Sequence, residues 1–153
     1  MSIWWSLHLR REAASVPLAR RLLLGTMETA GVDPDISYDL SVALSEACAN
    51  AVEHAGDTES ASGEYRVTAH IEGDRCHIEV TDSGPGLPLT RRRPVRPRPA
   101  QPTPHQHAEH GRGLFLIEAL VDHVQFRNKP GSGAVVSFDK VLKWRDDALL
   151  KAS

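Results

Sequence analysis

Only two cysteines, Cys48 and Cys76, occur in the 153 residues, and neither belongs to a Cys-x-x-Cys pair or a larger framework. That argues against a structural disulfide and leaves two small thiols suited to a core. No apolar run approaches the ~18 to 20 residues of a membrane span. Ile3-Trp4-Trp5 is followed by Arg10, Arg11 and Glu12 too soon for a signal peptide, so a cytoplasmic protein without a membrane partner is expected. A strong charge of one sign is missing too. The formal net charge of -2 gives no global pull toward nucleic acid or membrane. The phosphate loop ending in Gly-Lys-Ser/Thr is absent. What is present is ordinary for a globular chain, 41% hydrophobic and 25% charged. Its length predicts one domain over residues 1–153, large enough for a core of its own.

Residues 3 to 10 alternate Ile3, Trp5, Leu7 and Leu9 against Trp4, Ser6, His8 and Arg10, the period of a half-buried strand. Trp4, on the other face of that strand, fits an interface and a buried position equally. Ser15 is a candidate helix cap, and Leu18, Leu22, Leu23, Met27 and Ala30 recur at helical spacing up to Gly31, predicting a helix over about 15–30. After Asp33-Pro34, the stripe Leu40, Ala43, Leu44, Ala47, Ala51 and Ala55 predicts a second helix over about 35–55. Tyr65 to Glu72 and Arg75 to Thr81 read as strands joined at Gly73-Asp74. From Gly84 to His110 run seven prolines without hydrophobic periodicity, a long loop that builds no core. A helix through Leu114, Ile117, Leu120 and Val121 follows, then a strand pair around Lys129-Pro130-Gly131, with Ala134 to Val141 as its second strand. Trp144 to Ser153 is unassigned. Helices and strands in mixed order with a hairpin predict a two-layer α/β sandwich, its mixed, mostly antiparallel sheet carrying helices on one face.

Three groups of residues carry chemistry. Glu46, Asn50 and His54 stand four apart and stack on one face of the second helix. A carboxylate and an amide there suit Mg2+ coordination through oxygen and activation of a hydroxyl near a phosphate, although the triplet alone also fits a solvated polar face. Asp82-Ser83-Gly84-Pro85-Gly86 closes a strand. Its glycines let the backbone pass close to a flat ligand, and the carboxylate would accept from the exocyclic amine of adenine, whereas guanine presents a carbonyl there. Read alone, it is also an ordinary turn. Gly111-Arg112-Gly113-Leu114 opens a helix, where free N–H groups and the helix dipole favour an anion, although a lone Gly-x-Gly there also fits a structural turn.

Glu46 to His54, Asp82 to Gly86 and Gly111 to Leu114 together resemble, in order, the N, G1 and G2 boxes of the GHKL ATPase and kinase superfamily. The small size and the Ala19-Arg20 segment upstream look like its bacterial anti-sigma-factor serine kinase branch. The resemblance covers about residues 15–140. It implies a Bergerat ATP-binding fold with ATP and Mg2+ as cofactors, Glu46 as general base, Asn50 as metal ligand and Asp82 as adenine contact. Gly84, Gly86, Gly111, Arg112, Gly113 and Leu114 would shape the nucleotide pocket, His54 would sit near the nucleotide, and the loop at about 84–110 would be its lid. Where the family carries Gly-Thr before the last strand, this chain has Gly133-Ala134.

In that loop Arg91, Arg92, Arg93, Arg96 and Arg98 interleave with prolines and lack interleaved aromatics, so positive charge near a triphosphate is expected rather than direct nucleic-acid binding. His105, His107 and His110 find no cysteine or carboxylate pair to complete a metal site. By resemblance the chain would be a serine/threonine kinase that binds a sigma factor and phosphorylates an anti-anti-sigma antagonist, as a homodimer formed through the first strand and helix. Two alternatives are a nucleotide-gated binding module with weak chemistry and a detached histidine-kinase-type ATPase domain.

Overall fold

The computed structural model describes residues 2–55, 63–82, 114–129 and 133–146, with the side chains of residues 54, 55, 128, 129 and 133 left aside. The chain forms β1 (Ser2–Arg10), α1 (Ser15–Ala30), α2 (Pro34–Ala55), β2 (Glu64–Glu72) and β3 (Arg75–Asp82). A short helix at 114–120, here α3, is followed by β4 (His123–Lys129) and β5 (Gly133–Val141). The five strands make one sheet in the order β1-β2-β3-β5-β4, and every pair is antiparallel. The expected two-layer α/β architecture is therefore present, with an antiparallel rather than mixed sheet among the described residues. The predicted loop at 84–110 lies outside them.

Register explains why one sheet face is covered. Leu7, Val67, Val80 and Val136 stand abreast on successive strands, as do Trp5, Ala69, Ile78 and Phe138. Since side chains alternate along a strand, these rows make one apolar face. α1 and α2 pack on it, with Leu23, Met27, Leu40, Leu44 and Ala47 fully buried. Trp5 Nε1 also donates to Thr26 Oγ1 at 3.1 Å, fastening β1 to α1. The opposite face is polar at His8, Arg66, His70, His77 and Glu79. Trp4 belongs to that face and is 63% exposed, so it is not buried within the monomer.

Two expectations about α1 are corrected. Ser15 does not cap the helix: the cap position is Ala14 without a side-chain bond, and Ser15 Oγ instead donates to the Glu12 carbonyl at 2.8 Å. The buried column of α1 runs Ser15, Ala19, Leu23, Met27 and Ala30, leaving Leu18 and Leu22 exposed. Helical spacing sets which residues share a face but not how wide a stripe its neighbours cover. α1 ends at Gly31, whose φ of 93° places it in the left-handed region that glycine adopts without a Cβ penalty. The tail left unassigned by sequence closes this junction, with Trp144 bridging Val32 and Arg145 N–H donating to the Gly31 carbonyl at 2.7 Å.

Candidate functional site

α2 begins where its sequence dictates. Pro34 occupies the first turn, where a missing N–H costs nothing, and Asp33 Oδ1 accepts from the Asp35 N–H at 2.8 Å. From this start Ile36, Leu40, Ala43, Leu44, Ala47 and Cys48 turn toward the core. Glu46 and Asn50 fall on the edge of that stripe, one turn apart and partly buried.

Two contacts say which way that edge looks. Ser45 accepts from Arg20 Nη1 of α1 at 3.2 Å, so the flank of α2 bearing Ser45 faces α1. Asp39 stands two turns before Glu46, and its Oδ2 lies 3.9 Å from Lys140 Nζ of β5. Residues seven apart share a helix face. The flank bearing Asp39, Glu46 and Asn50 therefore opens away from α1, toward β5. Lys140 also donates to the Leu120 carbonyl at 2.7 Å, holding the end of α3 beside this flank. Lys140 was not anticipated from sequence; its signal is a lysine in phase with Ala134, Val136 and Phe138 on the helix-facing side of β5.

Asp82, the last residue of β3, pairs with Tyr65 of β2 and so lies on the helix-covered face, partly buried. Thr81 pairs with Val135, which brings the preceding residue, Ala134, to the neighbouring strand position beside Asp82. The fold thus brings Glu46, Asn50 and Asp82 to one face of the sheet. Leu114 begins α3, anchored by fully buried Ile117. His54 lies on α2, its side chain outside the described residues, as are Gly84, Gly86, Gly111, Arg112 and Gly113. Among the described residues no group of three or more His, Cys, Asp or Glu is arranged as a metal cage. A divalent cation here would rest on one or two protein oxygens and complete its shell from phosphate and water, the habit of Mg2+.

The thiols behave as core residues. Burial pushes both Cys48 and Cys76 up to about 12 from an ordinary value of 9.0. Desolvation is the main cause at each.

A helix-covered antiparallel sheet with a glutamate and an asparagine on one helix flank and an aspartate at a strand end defines a two-layer α/β domain with polar side chains gathered on the helix-covered face. The family model of the histidine kinase-like ATPase domain matches residues 9–140. Curated relatives include the serine-protein kinase RsbW of Bacillus licheniformis, 36% identical over 130 residues, which make up 83% of this chain and 78% of that protein. The Listeria innocua RsbW is 34% identical over 86% of this chain and 84% of its own length. The Bacillus subtilis RsbW is 34% identical over 83% and 78%. The chain belongs to the histidine kinase-like ATPase family, in the branch of the RsbW serine-protein kinases. Among solved structures, the RsbU and RsbW domains of Rv1364c from Mycobacterium tuberculosis superpose with a TM-score of 0.61 at 21% identity. That match covers 90% of this chain and 32% of the other, and it concerns the fold alone.

Proposed function

We propose that this chain, as a single domain, is an ATP-dependent protein serine/threonine kinase. It would bind a sigma factor and phosphorylate a serine or threonine of the antagonist that releases that factor. The observation that carries the reading is the flank of α2 on which Glu46 and Asn50 stand one turn apart, opening toward β5 on the face that also bears Asp82. The names of the RsbW relatives, serine-protein kinases, support the substrate class.

In this reading Asp82 accepts from the adenine amine and thereby selects ATP. Asn50 would hold Mg2+ through its carbonyl oxygen, and the cation when bound would offset the charge of the phosphates. The hydroxyl oxygen of the acceptor residue attacks the γ-phosphorus, the bond to the β–γ bridging oxygen breaks, and Glu46 takes the hydroxyl proton. His54, Gly84, Gly86, Gly111, Arg112, Gly113 and Leu114 complete the pocket, with the segment at 84–110 as lid. The active species is a homodimer through β1 and α1, in the cytoplasm.

The test is phosphotransfer from labelled ATP to the antagonist recovered with the protein from its source cell. General-base assistance contributes about 100- to 10,000-fold, so Glu46→Gln should lower the rate by that factor with little change in ATP affinity. Asn50→Ala should instead weaken Mg-nucleotide binding. One observation favours a second reading, a nucleotide-gated binding module: Ala134, beside Asp82, brings no hydroxyl where the family has threonine. A wild-type protein that binds ATP and a sigma factor but phosphorylates no recovered partner would establish that reading.

A further inference from the structure

The apolar row Leu7, Val67, Val80 and Val136 has a fifth member, Phe126, which pairs with Val136 from the edge strand β4. The first four lie in the core or pack against it. Cover then runs out along the row: Val67 and Val80 are buried, Val136 is partly buried, and Phe126 is 41% exposed. Lying on an edge strand does not account for this by itself. Val124, two residues earlier on the same strand and face, is partly buried and packs against the core, whereas Ala134, on the interior strand β5 and the same face, is exposed. Among the described residues the helix layer therefore leaves open the part of β5 and β4 that lies beside Asp82.

Two hydrogen bonds fix the level of α2 against this opening. Ser15 Oγ lies 2.6 Å from Tyr65 Oη, in the row of Asp82, and Thr26 accepts from Trp5, in the row of Phe138. Between these points α1 crosses the row of Phe126, and there Arg20 of α1 meets Ser45 of α2. Glu46, the next residue, stands at the level of that row, with Asn50 one turn nearer the row of Asp82. The surface they look across is polar at one corner, Asp82, and apolar over Ala134, Val136 and Phe126. We propose that this surface seats the adenine ring of ATP and that Phe126 is a nucleotide-binding residue, the apolar wall that the ring meets at its far end. The proposal rests on the site reading above and adds to it the contacts to the ring itself. Strands lie about 4.8 Å apart, so Val136 is one strand and Phe126 two strands, about 10 Å, from the strand of Asp82. A purine held by its amine at Asp82 crosses Val136 toward Phe126. The carboxylate selects the base, but its bond to the amine replaces one to water and adds little net affinity. Apolar contact with the ring supplies affinity whichever base is bound, because every base has an apolar face. Asp82 thus provides selectivity and Phe126 provides hold.

The experiment is calorimetric titration of ATP with Mg2+, and of ADP in EDTA, into wild type, Phe126→Ala, Phe126→Trp and Asp82→Ala. Phe126→Ala should weaken both ligands by the same factor, about five- to 100-fold, because the contact is to the base they share. Phe126→Trp restores an aromatic ring and should recover most of that loss. Its indole should also report binding, with an emission change on adding ADP that exceeds the change in wild type, whose tryptophans are Trp4, Trp5 and Trp144. If Asp82→Ala loses ATP while Phe126→Ala binds both ligands as wild type does, the site reading stands and the role of Phe126 is overturned. A loss in Phe126→Ala confined to ATP with Mg2+ would run through the metal and would overturn it too. So would a lower melting temperature with unchanged ADP affinity, which would mean that the ring packs on its own chain. If Asp82→Ala keeps full ATP affinity, or wild type binds neither ligand, the site reading has failed and the seat proposed for the ring fails with it. Should Phe126→Ala not fold, the Phe126→Trp emission decides, and no added change on ADP binding overturns the contact.

Discussion

Asp39 in the second turn of α2 and Lys140 on β5 face each other at 3.9 Å, and the same ammonium holds the Leu120 carbonyl at the end of α3 at 2.7 Å. One lysine thus joins three elements that border the Glu46–Asn50 flank. The ion pair is partly exposed on the Asp39 side and contributes little, whereas the bond to the helix-end carbonyl is shielded and charge-assisted. Lys140→Met keeps the apolar stem and removes the charge. It should cost about 1 to 3 kcal/mol, seen as a melting temperature lower by roughly 3 to 10 °C. Nucleotide affinity should fall as well, since α3 loses its tie to α2. Thermal denaturation and ATP titration of the same variant check both, and an unchanged melting temperature would remove Lys140 from the account.

Asp82 is expected to select the base. Its carboxylate accepts but cannot donate, so it suits the adenine amine and repels the guanine carbonyl. Wild type should bind ATP in preference to GTP by at least about tenfold, and Asp82→Ala should lose most ATP affinity without gaining GTP. Equal affinities for the two nucleotides in wild type would contradict the assignment.

Cys48 and Cys76 should be inert to thiol reagents in the folded protein and react together on unfolding, because the thiolate is the nucleophile and burial disfavours it. The same shifts set an alkaline limit. A thiol with a folded value of about 12 against 9.0 unfolded holds its proton longer in the native state. The stability is fully present below pH 9.0 and is lost as pH rises toward 12. Melting temperatures should decline over that window in wild type, and less steeply in Cys76→Ala. Equal slopes would mean that another group governs the alkaline limit.

How far the fold could be read from sequence follows from the range of each cause. The alternation from Ile3 to Leu9 and the stripe from Leu40 to Ala47 are local consequences of strand and helix periods, and both elements form where those periods place them. The Glu46–Asn50 spacing is equally local. That their flank opens toward β5 is not, since it depends on Lys140, about a hundred residues further along the chain. Ser15 shows the same limit. A serine before a helical stripe has the composition of a cap, but the buried Tyr65 hydroxyl, fifty residues away, recruits it instead. The Val32–Trp144 bridge joins two stretches without a shared local pattern, so no period could announce it.

The last expectation concerns assembly. Among the described residues β1 is an edge strand of nine residues without proline, with no strand paired to its outer side. Beside it, Leu18 at 51% and Leu22 at 39% exposure line a shallow apolar groove with Ile3 and Gly25. Among the described residues nothing covers this surface. A homodimer through β1 and α1 would bury it, and Arg21 at the margin would remain at the rim, where charges are tolerated. Light scattering after gel filtration should give a mass about twice the 16.8 kDa of one chain. Leu22→Glu, an exposed site in the monomer, should convert the protein to monomers without lowering the unfolding temperature of the isolated chain by more than about 2 °C, since a surface change off the core costs within about 0.5 kcal/mol. A wild-type protein that stays monomeric at tens of micromolar, or a Leu22→Glu variant that remains dimeric, would place the interface elsewhere.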